Sequence, residues 1–269
     1  MKNWIFRTLA TLMMICALPL QAEESIVRLA TTTSTYNSGL LDALLPTFET
    51  KHNLKVQVIA VGTGKALRMG EAGDVDLVMT HAPAAEQKFV DAGFGVEPTG
   101  LMYNDFVLIG PAADPAQIRG NSSAVDAMKK IADSNSLFIS RGDDSGTHKK
   151  EKGLWKSAGV GNRFENYREV GQGMGKVLQM ADELNAYTLT DRGTWLAYES
   201  RLQLQLLVEG DEGLFNPYQV ILVNPSKHEG LNTEGARALR DWLISDEGQQ
   251  QIDAFKINGK PLFKASAAR

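Results

Sequence analysis

Short runs rich in β-branched and apolar residues alternate with amphipathic stretches along most of the 269-residue sequence. This alternation is typical of βαβ units, in which helices cover mainly parallel sheets. The sequence therefore predicts an α/β protein. The predicted strands are 26–30, 55–60, 75–80, 106–110, 137–140, 186–190 and 218–223, and the predicted helices are 39–51, 64–72, 84–92, 122–133, 147–157, 175–184 and 233–244.

Two apolar segments that end at proline, 104–111 and 216–225, lie far apart in the sequence. Two such strands could pair and carry the chain out of one lobe and back into it. On this hypothesis lobe I is discontinuous, 23–104 and 224–269, lobe II is continuous, 105–223, and a ligand cleft lies between the lobes. The alternative is a single doubly wound sheet with these segments as edge strands.

The amino-terminal residues have the layout of a secretory signal. Lys2 and Arg7 precede the apolar run 9–20, which is too short to anchor the chain in a bilayer. The small residue Ala22 marks the expected cleavage position, which assigns 1–22 to a signal peptide. We therefore expect a soluble protein in a periplasm-like space.

Cys16, the only cysteine, lies within that segment. Acylation of Cys16 would give a lipid anchor instead, although the bulky Ile15 stands where a lipobox has a small residue. Cleavage would leave the mature chain without a disulfide or a thiolate metal site. The formal net charge of −4 is unfavourable for binding nucleic acid, which is held mainly through clustered Lys and Arg.

A cluster of hydroxyl side chains follows the first predicted strand. Five Thr or Ser residues, 31–35, stand in a row before Gly39 opens a helix. Free backbone N–H groups and the positive end of the helix dipole converge at a helix N-terminus, so hydroxyl groups there favour an anion site. The structural alternative, an N-cap, needs only one hydroxyl.

A second loop of the same kind follows the predicted strand 137–140. Ser145 and Thr147 can donate hydrogen bonds, and Gly146 lets backbone N–H groups approach a ligand closely. Arg141 supplies a forked cation suited to an oxyanion. The two loops would lie on different lobes and face each other across the cleft.

The turn 61–65 is a weaker candidate. Thr63 and Gly64 could contribute to an anion site, but a tight connection between a strand and a helix explains them equally well. The segment is not a Walker loop, because Ile59 and Ala66 stand where the first glycine and the magnesium-binding hydroxyl are needed.

A serine hydrolase is the alternative from another class of protein. Ser145, Asp144 and His148 are the residue types of a catalytic triad, but three members within five positions cannot easily align. Asp143 also stands where a nucleophile elbow needs glycine. We therefore expect no catalysis. We also expect no cofactor and no metal, because the histidines of the mature chain are scattered, at His52, His81, His148 and His228.

Several of these segments together resemble a known family. The Thr-Thr-Thr-Ser run at 31–34 and the Arg-Gly-Asp-Asp-Ser-Gly-Thr-His run at 141–148, with 61–67, 74–77 and 187–194, resemble the tungstate-binding component of ABC importers. This component is a branch of the type II periplasmic binding proteins. The resemblance implies two α/β lobes joined by two crossover strands. It also implies that the ligand is tungstate, with molybdate as a further anion. The implied partner is a membrane permease, and the implied protein is a monomer.

The resemblance also implies the residues that contact the anion. Molybdate-binding relatives carry a Tyr-x-Thr-Asp segment near the position of Thr188, which adds that residue. The other implied contacts are Thr32, Thr33, Ser34, Arg141, Ser145, Gly146 and Thr147.

Phosphate-binding relatives share the Arg-x-Asp-x-Ser-Gly-Thr pattern of the second loop. Hydrogen phosphate keeps a proton and benefits from a carboxylate acceptor, whereas tungstate needs donors only. Asp143 could therefore accept from phosphate or pair with Arg141. The Thr-Thr-Thr-Ser run favours the tungstate branch. Arg192 is an alternative source of positive charge, or one half of a structural ion pair.

Overall fold

The computed structural model describes residues 25–161 and 164–267. The predicted signal segment 1–22, with Cys16 and the expected cleavage position, lies outside these residues. Within the described ranges no helix combines the length and the apolar character needed to cross a bilayer.

Every predicted strand and helix overlaps an observed one. The strands are β1 Ser25–Thr32, β2 Leu54–Val61, β3 Leu77–Thr80, β4 Gly95–Gly110, β5 Phe138–Ser140, β6 Tyr167–Glu169, β7 Thr188–Asp191, β8 Gln205–Val208, β9 Phe215–Val223, β10 Lys256–Ile257, β11 Lys260–Pro261 and β12 Lys264–Ala265. The helices are α1 Thr33–Asn37, α2 Leu40–His52, α3 Thr63–Ala72, α4 Pro83–Asp91, α5 Ala124–Asp133, α6 Gly146–Ser157, α7 Met174–Glu183, α8 Arg192–Tyr198, α9 Thr233–Ile244 and α10 Asp246–Ala254.

The sheet of lobe I has the strand order β12, β4, β9, β3, β1, β2. Strand β1 is parallel to β2 along its whole length and parallel to β3, whereas β9 runs antiparallel to β3. Helix α2 covers this sheet, because its apolar residues recur at helical spacing and are buried: Leu40, Leu41, Leu44, Leu45 and Phe48. The carboxyl ends of β1 and β2 therefore lead into α1 and α3 at the same edge of the sheet.

Strand β4 belongs to two sheets. Its first part, from Gly95 to Asp105, pairs with β9, and its second part, from Phe106 onwards, pairs with β7 and β8. The chain therefore passes from lobe I to lobe II within one continuous strand. This arrangement, with β9 antiparallel to β4, differs from the single doubly wound sheet that was the alternative.

The prediction that the two strands pair is confirmed, because β4 is antiparallel to β9, but the paired stretch differs: within 104–111 and 216–225 only Asn104 and Asn216 are paired. Strand β4 begins nine residues before Asn104, and β9 pairs with that earlier part. The register shifts between Val96 and Thr99, near Glu97, which has a positive φ of 52°. Such irregularities break the alternation by which a strand is recognised in a sequence.

Strand β9 pairs with β4 from its first residue, Phe215, and with β3 from Gln219 onwards. This pairing favours a return to lobe I near residue 215 rather than at the expected 224. The division into 23–104 with 224–269 and 105–223 stays a prediction.

Lobe II is built around β5, β6, β7 and β8. Strand β5 is parallel to β6, while β7 and β8 run antiparallel to β4. The core of this lobe contains Phe138 and Trp155, which meet edge to face with ring centroids 5.1 Å apart. Helix α6 is thus fixed against the end of β5, so that the loop between them, 141–145, opens toward lobe I.

Candidate functional site

A cleft of about 700 Å³ opens between the first and the second hydroxyl-rich loops. It is the place where the ends of β1, β2 and β5 meet the starts of α1, α3 and α6. Of the ten residues predicted to contact an anion, nine line it: Thr32, Thr33, Ser34, Thr63, Gly64, Arg141, Ser145, Gly146 and Thr147.

Thr188 is not among the residues that line the cleft. It is fully buried in β7 opposite Ile109, and its hydroxyl group donates to the carbonyl oxygen of Leu189 at 3.4 Å. In this part of the chain, residues line the cleft from the end of β7 onwards, where Asp191 and Thr194 lie.

The first loop combines a helix cap with exposed hydroxyl groups. Thr32 is buried, and its Oγ1 atom accepts a hydrogen bond from the backbone N–H of Thr35 at 3.3 Å. The N-cap alternative therefore explains Thr32. Thr33 and Ser34 follow on the first turn of α1 with exposed side chains that line the cleft. The Oγ atom of Ser34 shares a hydrogen bond with Oγ1 of Thr32 at 3.2 Å and remains accessible to a ligand.

The second loop repeats this arrangement on lobe II. Ser145 caps α6, because its Oγ atom accepts from the backbone N–H of His148 at 3.3 Å. Gly146 and Thr147 are the first two residues of that helix. Their backbone N–H groups have no partner within the helix at this position, and the positive end of the dipole of α6 faces the cleft.

The carboxylate of Asp143 is occupied within the second loop. Its Oδ2 atom accepts from Nε of Arg141 at 2.7 Å, and its Oδ1 atom accepts from the backbone N–H of Ser145 at 3.1 Å. Burial alone would raise the pKa of Asp143, but hydrogen bonds from Ser145 and the charge of Arg141 outweigh it and lower that pKa. Asp143 is therefore ionised and pairs with Arg141, which removes the reason to regard it as a free acceptor for hydrogen phosphate.

Arg192 forms a structural ion pair. Its guanidinium group binds both carboxylate oxygens of Asp105, at 2.5 and 2.6 Å, and Glu209 at 2.6 Å. These hydrogen bonds raise its pKa further. Because Asp105 lies in β4 and Arg192 begins α8, this ion pair fixes lobe II to the crossover strand.

The other acids of the cleft also have partners. Asp144 pairs with Lys149 at 3.3 Å, and Asp191 caps α8 by accepting from both the N–H and the hydroxyl group of Thr194, at 2.8 and 2.7 Å. Together with Asp143, these are the acids that line the cleft among the described residues, and each is neutralised locally or hydrogen-bonded.

Two cations of the cleft, Lys65 and Arg68, were missed by the sequence reasoning. Both lie on α3, and the side chain of neither forms a hydrogen bond or an ion pair with another of the described residues. Arg68 folds back over the start of its helix, since a Cβ placed on Gly64 would lie 3.4 Å from its Nη1 atom. The sequence did contain a signal for them, because a spacing of three residues places both side chains on one face of α3. They give the cleft a positive charge that is not neutralised, despite the net charge of −4.

A polar network forms the floor of the cleft where the lobes meet, with Asn104, Asn216 and Tyr218 buried and His81 partly buried. His81, which follows β3, contacts Asn216 through Nδ1 at 3.0 Å, and Asn216 donates to Asn104 at 2.7 Å. Tyr218 stacks on the His81 ring with centroids 4.7 Å apart. All four side chains line the cleft.

The hydrolase alternative lacks its geometry. The Nδ1 atom of His148 accepts from the backbone N–H of Asp144 at 3.0 Å, and its Nε2 atom lies 3.3 Å from Glu169. The hydroxyl group of Ser145 meets the backbone of His148 instead of its ring. In the part of the chain that the structure covers, no group of three or more His, Cys, Asp or Glu could hold a metal ion.

Comparisons with known proteins agree with this arrangement. The PBP superfamily domain matches residues 20–247. The tungstate-binding protein TupA of Peptoclostridium acidaminophilum is 49% identical over 253 residues, which cover 93% of this chain and 88% of that protein.

Two solved structures are similar as well. The tungstate-binding protein TupA from Desulfovibrio alaskensis G20 superimposes with a TM-score of 0.86 at 48% identity, covering 91% of this chain and 100% of that one. The structure described as the tungstate ABC transporter from Geobacter sulfurreducens gives 0.76 at 52% identity, covering 86% and 98%. These likenesses confirm the predicted type II periplasmic binding protein fold. The chain belongs to the PBP superfamily and, within it, to the family of the tungstate-binding protein TupA.

Proposed function

We propose that this chain is a periplasmic solute-binding protein that captures tungstate, and also molybdate, and delivers it to the membrane permease of an ABC importer. The observation that carries the proposal is the pair of hydroxyl-bearing helix N-termini, at Thr33 and Ser34 and at Ser145 to Thr147, on opposite sides of one cleft. The names of the relatives supply the choice of anion.

The donor set suits a fully ionised tetrahedral oxyanion. Hydroxyl groups, backbone N–H groups and guanidinium groups offer hydrogen atoms to all of its oxygens, and such an ion needs no acceptor from the protein. The proposed contact set contains two further cations, Lys65 and Arg68, which add positive charge. The predicted contacts in it are Thr33, Ser34, Thr63, Gly64, Arg141, Ser145, Gly146 and Thr147.

The number of donors gives enough energy for tight binding. Each hydrogen bond to a charged group contributes about 1.5–3 kcal/mol before the cost of ordering the loops is subtracted. Sulfate would be held loosely in a site that suits the larger tungstate ion. Hydrogen phosphate carries a proton that needs an acceptor. Asp143 is not available for it, because both of its carboxylate oxygens already accept hydrogen bonds within the loop.

Titration calorimetry of residues 23–269 with tungstate, molybdate, sulfate and phosphate tests this proposal. We expect tungstate to bind more tightly than molybdate, and both far more tightly than sulfate or phosphate. A preference for phosphate would assign the chain to the phosphate-binding alternative.

The location and the assembly belong to the same proposal. We expect export through the signal peptide 1–22, a mature chain that begins at Glu23, and a monomer in solution. Amino-terminal sequencing of the protein from a periplasmic extract tests the cleavage position. A chain that still begins at Met1, or that is released only by detergent, would favour the uncleaved or lipid-anchored alternative.

Binding without catalysis is the last part of the proposal. The solute-binding relatives support it, and so does the absence of a hydrogen bond between Ser145 and the ring of His148. Covalent labelling of Ser145 by a serine-directed phosphonate would contradict it.

A further inference from the structure

The ring of His81 is the part of the cleft floor that can change its charge. His81 lines the cleft between the lobes, and its Nδ1 atom lies 3.0 Å from Oδ1 of Asn216. The amide nitrogen of Asn216 donates to Asn104 and to the hydroxyl group of Tyr218, so its oxygen is the atom that faces the ring. An amide oxygen only accepts hydrogen bonds, which places a hydrogen on Nδ1 of His81.

This tautomer leaves Nε2 of the neutral ring with a lone pair. Nε2 forms no hydrogen bond with the described residues. It is also absent from the set of polar side-chain atoms that are both fully buried and unpartnered, so this nitrogen is not fully buried. The edge of the ring that contains Cε1 faces lobe II, since a Cβ placed on Gly146 would lie 3.5 Å from that atom. Nε2 is bonded to Cε1, so the free nitrogen lies beside the N-terminus of α6.

A lone pair in that place opposes a dianion, whereas a protonated ring would donate a charge-assisted hydrogen bond to it. We propose that His81 is a proton-linked contact: it takes up one proton from solvent when the anion binds and donates Nε2–H to an anion oxygen. This inference rests on the proposed function, because it requires an oxyanion held at the second loop.

The surroundings of His81 determine whether its ring is neutral or protonated before the anion binds. Burial lowers the pKa of His81, and the hydrogen bond to Asn216 and the negative charge of Asp191 offset this only in part. Tyr218 stacks on the ring and Asn104 lies behind Asn216, and both are neutral near pH 7. The ring is therefore neutral in the free protein at neutral pH, and a dianion beside it would raise its pKa.

Calorimetry in buffers that differ in ionisation enthalpy measures the proton directly. We expect tungstate binding at about pH 7–8, in amine buffers that do not compete for the site, to take up as much as about one proton per anion. The affinity should fall by up to about tenfold for each pH unit above the pKa of the free ring. His81→Gln should bind with little proton uptake and a nearly flat pH profile. The matched control is His52→Gln, at an exposed ring that stacks on Phe48 in α2, and it should behave like the parent.

The outcomes separate this inference from the proposed function. Tungstate binding without proton uptake by the parent, or with undiminished uptake by His81→Gln, would overturn the role of His81 and leave the binding function intact. Failure of the parent to bind any of the four anions would overturn the binding function itself. If His81→Gln does not fold, the pKa of His81 in the parent, followed by NMR of its ¹³Cε1 resonance, should rise with tungstate, and an unchanged or lowered value would refute the proposal.

Discussion

The Nε atom of Arg141 donates to the Oδ2 atom of Asp143 across 2.7 Å, within one loop of lobe II. The other carboxylate oxygen of Asp143 holds the backbone N–H of Ser145 at 3.1 Å. One acid thereby orients both the guanidinium group and the start of α6. The terminal nitrogens of Arg141 are not used by this ion pair, so they can still meet an anion.

Arg141 is therefore expected to be the main charged contact on lobe II. Arg141→Ala should leave a folded protein whose affinity for tungstate falls by at least about 100-fold, as expected for the loss of about two charge-assisted hydrogen bonds. Arg141→Lys should recover only part of it, because an ammonium group cannot reproduce the planar fork. Calorimetry measures both, and parental affinity in Arg141→Ala would show that the second loop has been assigned wrongly.

Lys65 and Arg68 should act mainly on the rate of capture. As cleft cations without an ion-pair partner among the described residues, they attract a dianion before contact. The double variant Lys65→Gln, Arg68→Gln should bind tungstate about tenfold more slowly, with a weaker dependence of the association rate on salt. Stopped-flow fluorescence can follow the rate, and Lys88→Gln, on the exposed face of α4 away from the cleft, is the control. Unchanged rates in the double variant would exclude a steering role.

The sequence predicted the two loops that line the cleft because their chemistry is local. A hydroxyl run after a strand and a loop with Arg, Ser, Gly and Thr before a helix each lie within a few consecutive residues. Lys65 and Arg68 were missed for the opposite reason. Whether a lysine or arginine is paired depends on acids from other elements, and the cation that seemed comparable, Arg192, turned out to be bound to Asp105 and Glu209.

Long-range pairing was the other limit of sequence reasoning. Two apolar strands could be recognised, but the partner of β9 was the irregular first part of β4, which contains Pro98 and the positive φ of Glu97. Thr188 is a related case. Its segment resembles the Tyr-x-Thr-Asp pattern of molybdate-binding relatives, but that resemblance does not show which side of β7 faces the cleft. His81 belongs to no sequence motif, because the role proposed for it depends on Asn216, 135 residues away.

Glu151 should make the stability of the protein depend on pH. This carboxyl group is buried in α6 and accepts hydrogen bonds from Ser140, Trp155 and Tyr167. Burial raises its pKa to about 7. Between the ordinary value of 4.5 and about 7, the folded protein binds more protons than the unfolded chain, so the free energy of unfolding falls as pH rises through this window.

Denaturant unfolding at several pH values checks this dependence. The contribution of Glu151 should be present below about pH 4.5 and lost above about pH 7, with an upper limit near 3 kcal/mol. Glu151→Gln should flatten the profile in this window, because an amide stays neutral. If the variant and the parent show the same slope, Glu151 is ionised throughout, and its three donors outweigh its burial.

Closure of the lobes about β4 and β9 is the remaining prediction. Neither loop alone can surround a tetrahedral ion, so tight binding requires Thr33 and Ser34 from one lobe and Ser145 and Thr147 from the other to reach it together. The two lobes meet where Asn104 and Asn216 are paired, at the crossing of β4 and β9. Lys150 fixes α6 to the end of β9 nearest this crossing, by donating to the carbonyl oxygens of Gly213 and Phe215 at 2.9 and 3.0 Å.

The anion should therefore select a closed form, because that form alone makes both sets of contacts. Small-angle scattering should show a smaller radius of gyration when tungstate is added. The free energy of unfolding should also rise by about 4 kcal/mol at a thousandfold excess over the dissociation constant. Arg141→Ala at the same tungstate concentration is the control for compaction, since weaker binding should leave the radius larger. A gain in stability without compaction would keep the binding site but contradict the hinge, and it would mean that the two loops already stand at their binding distance in the free protein.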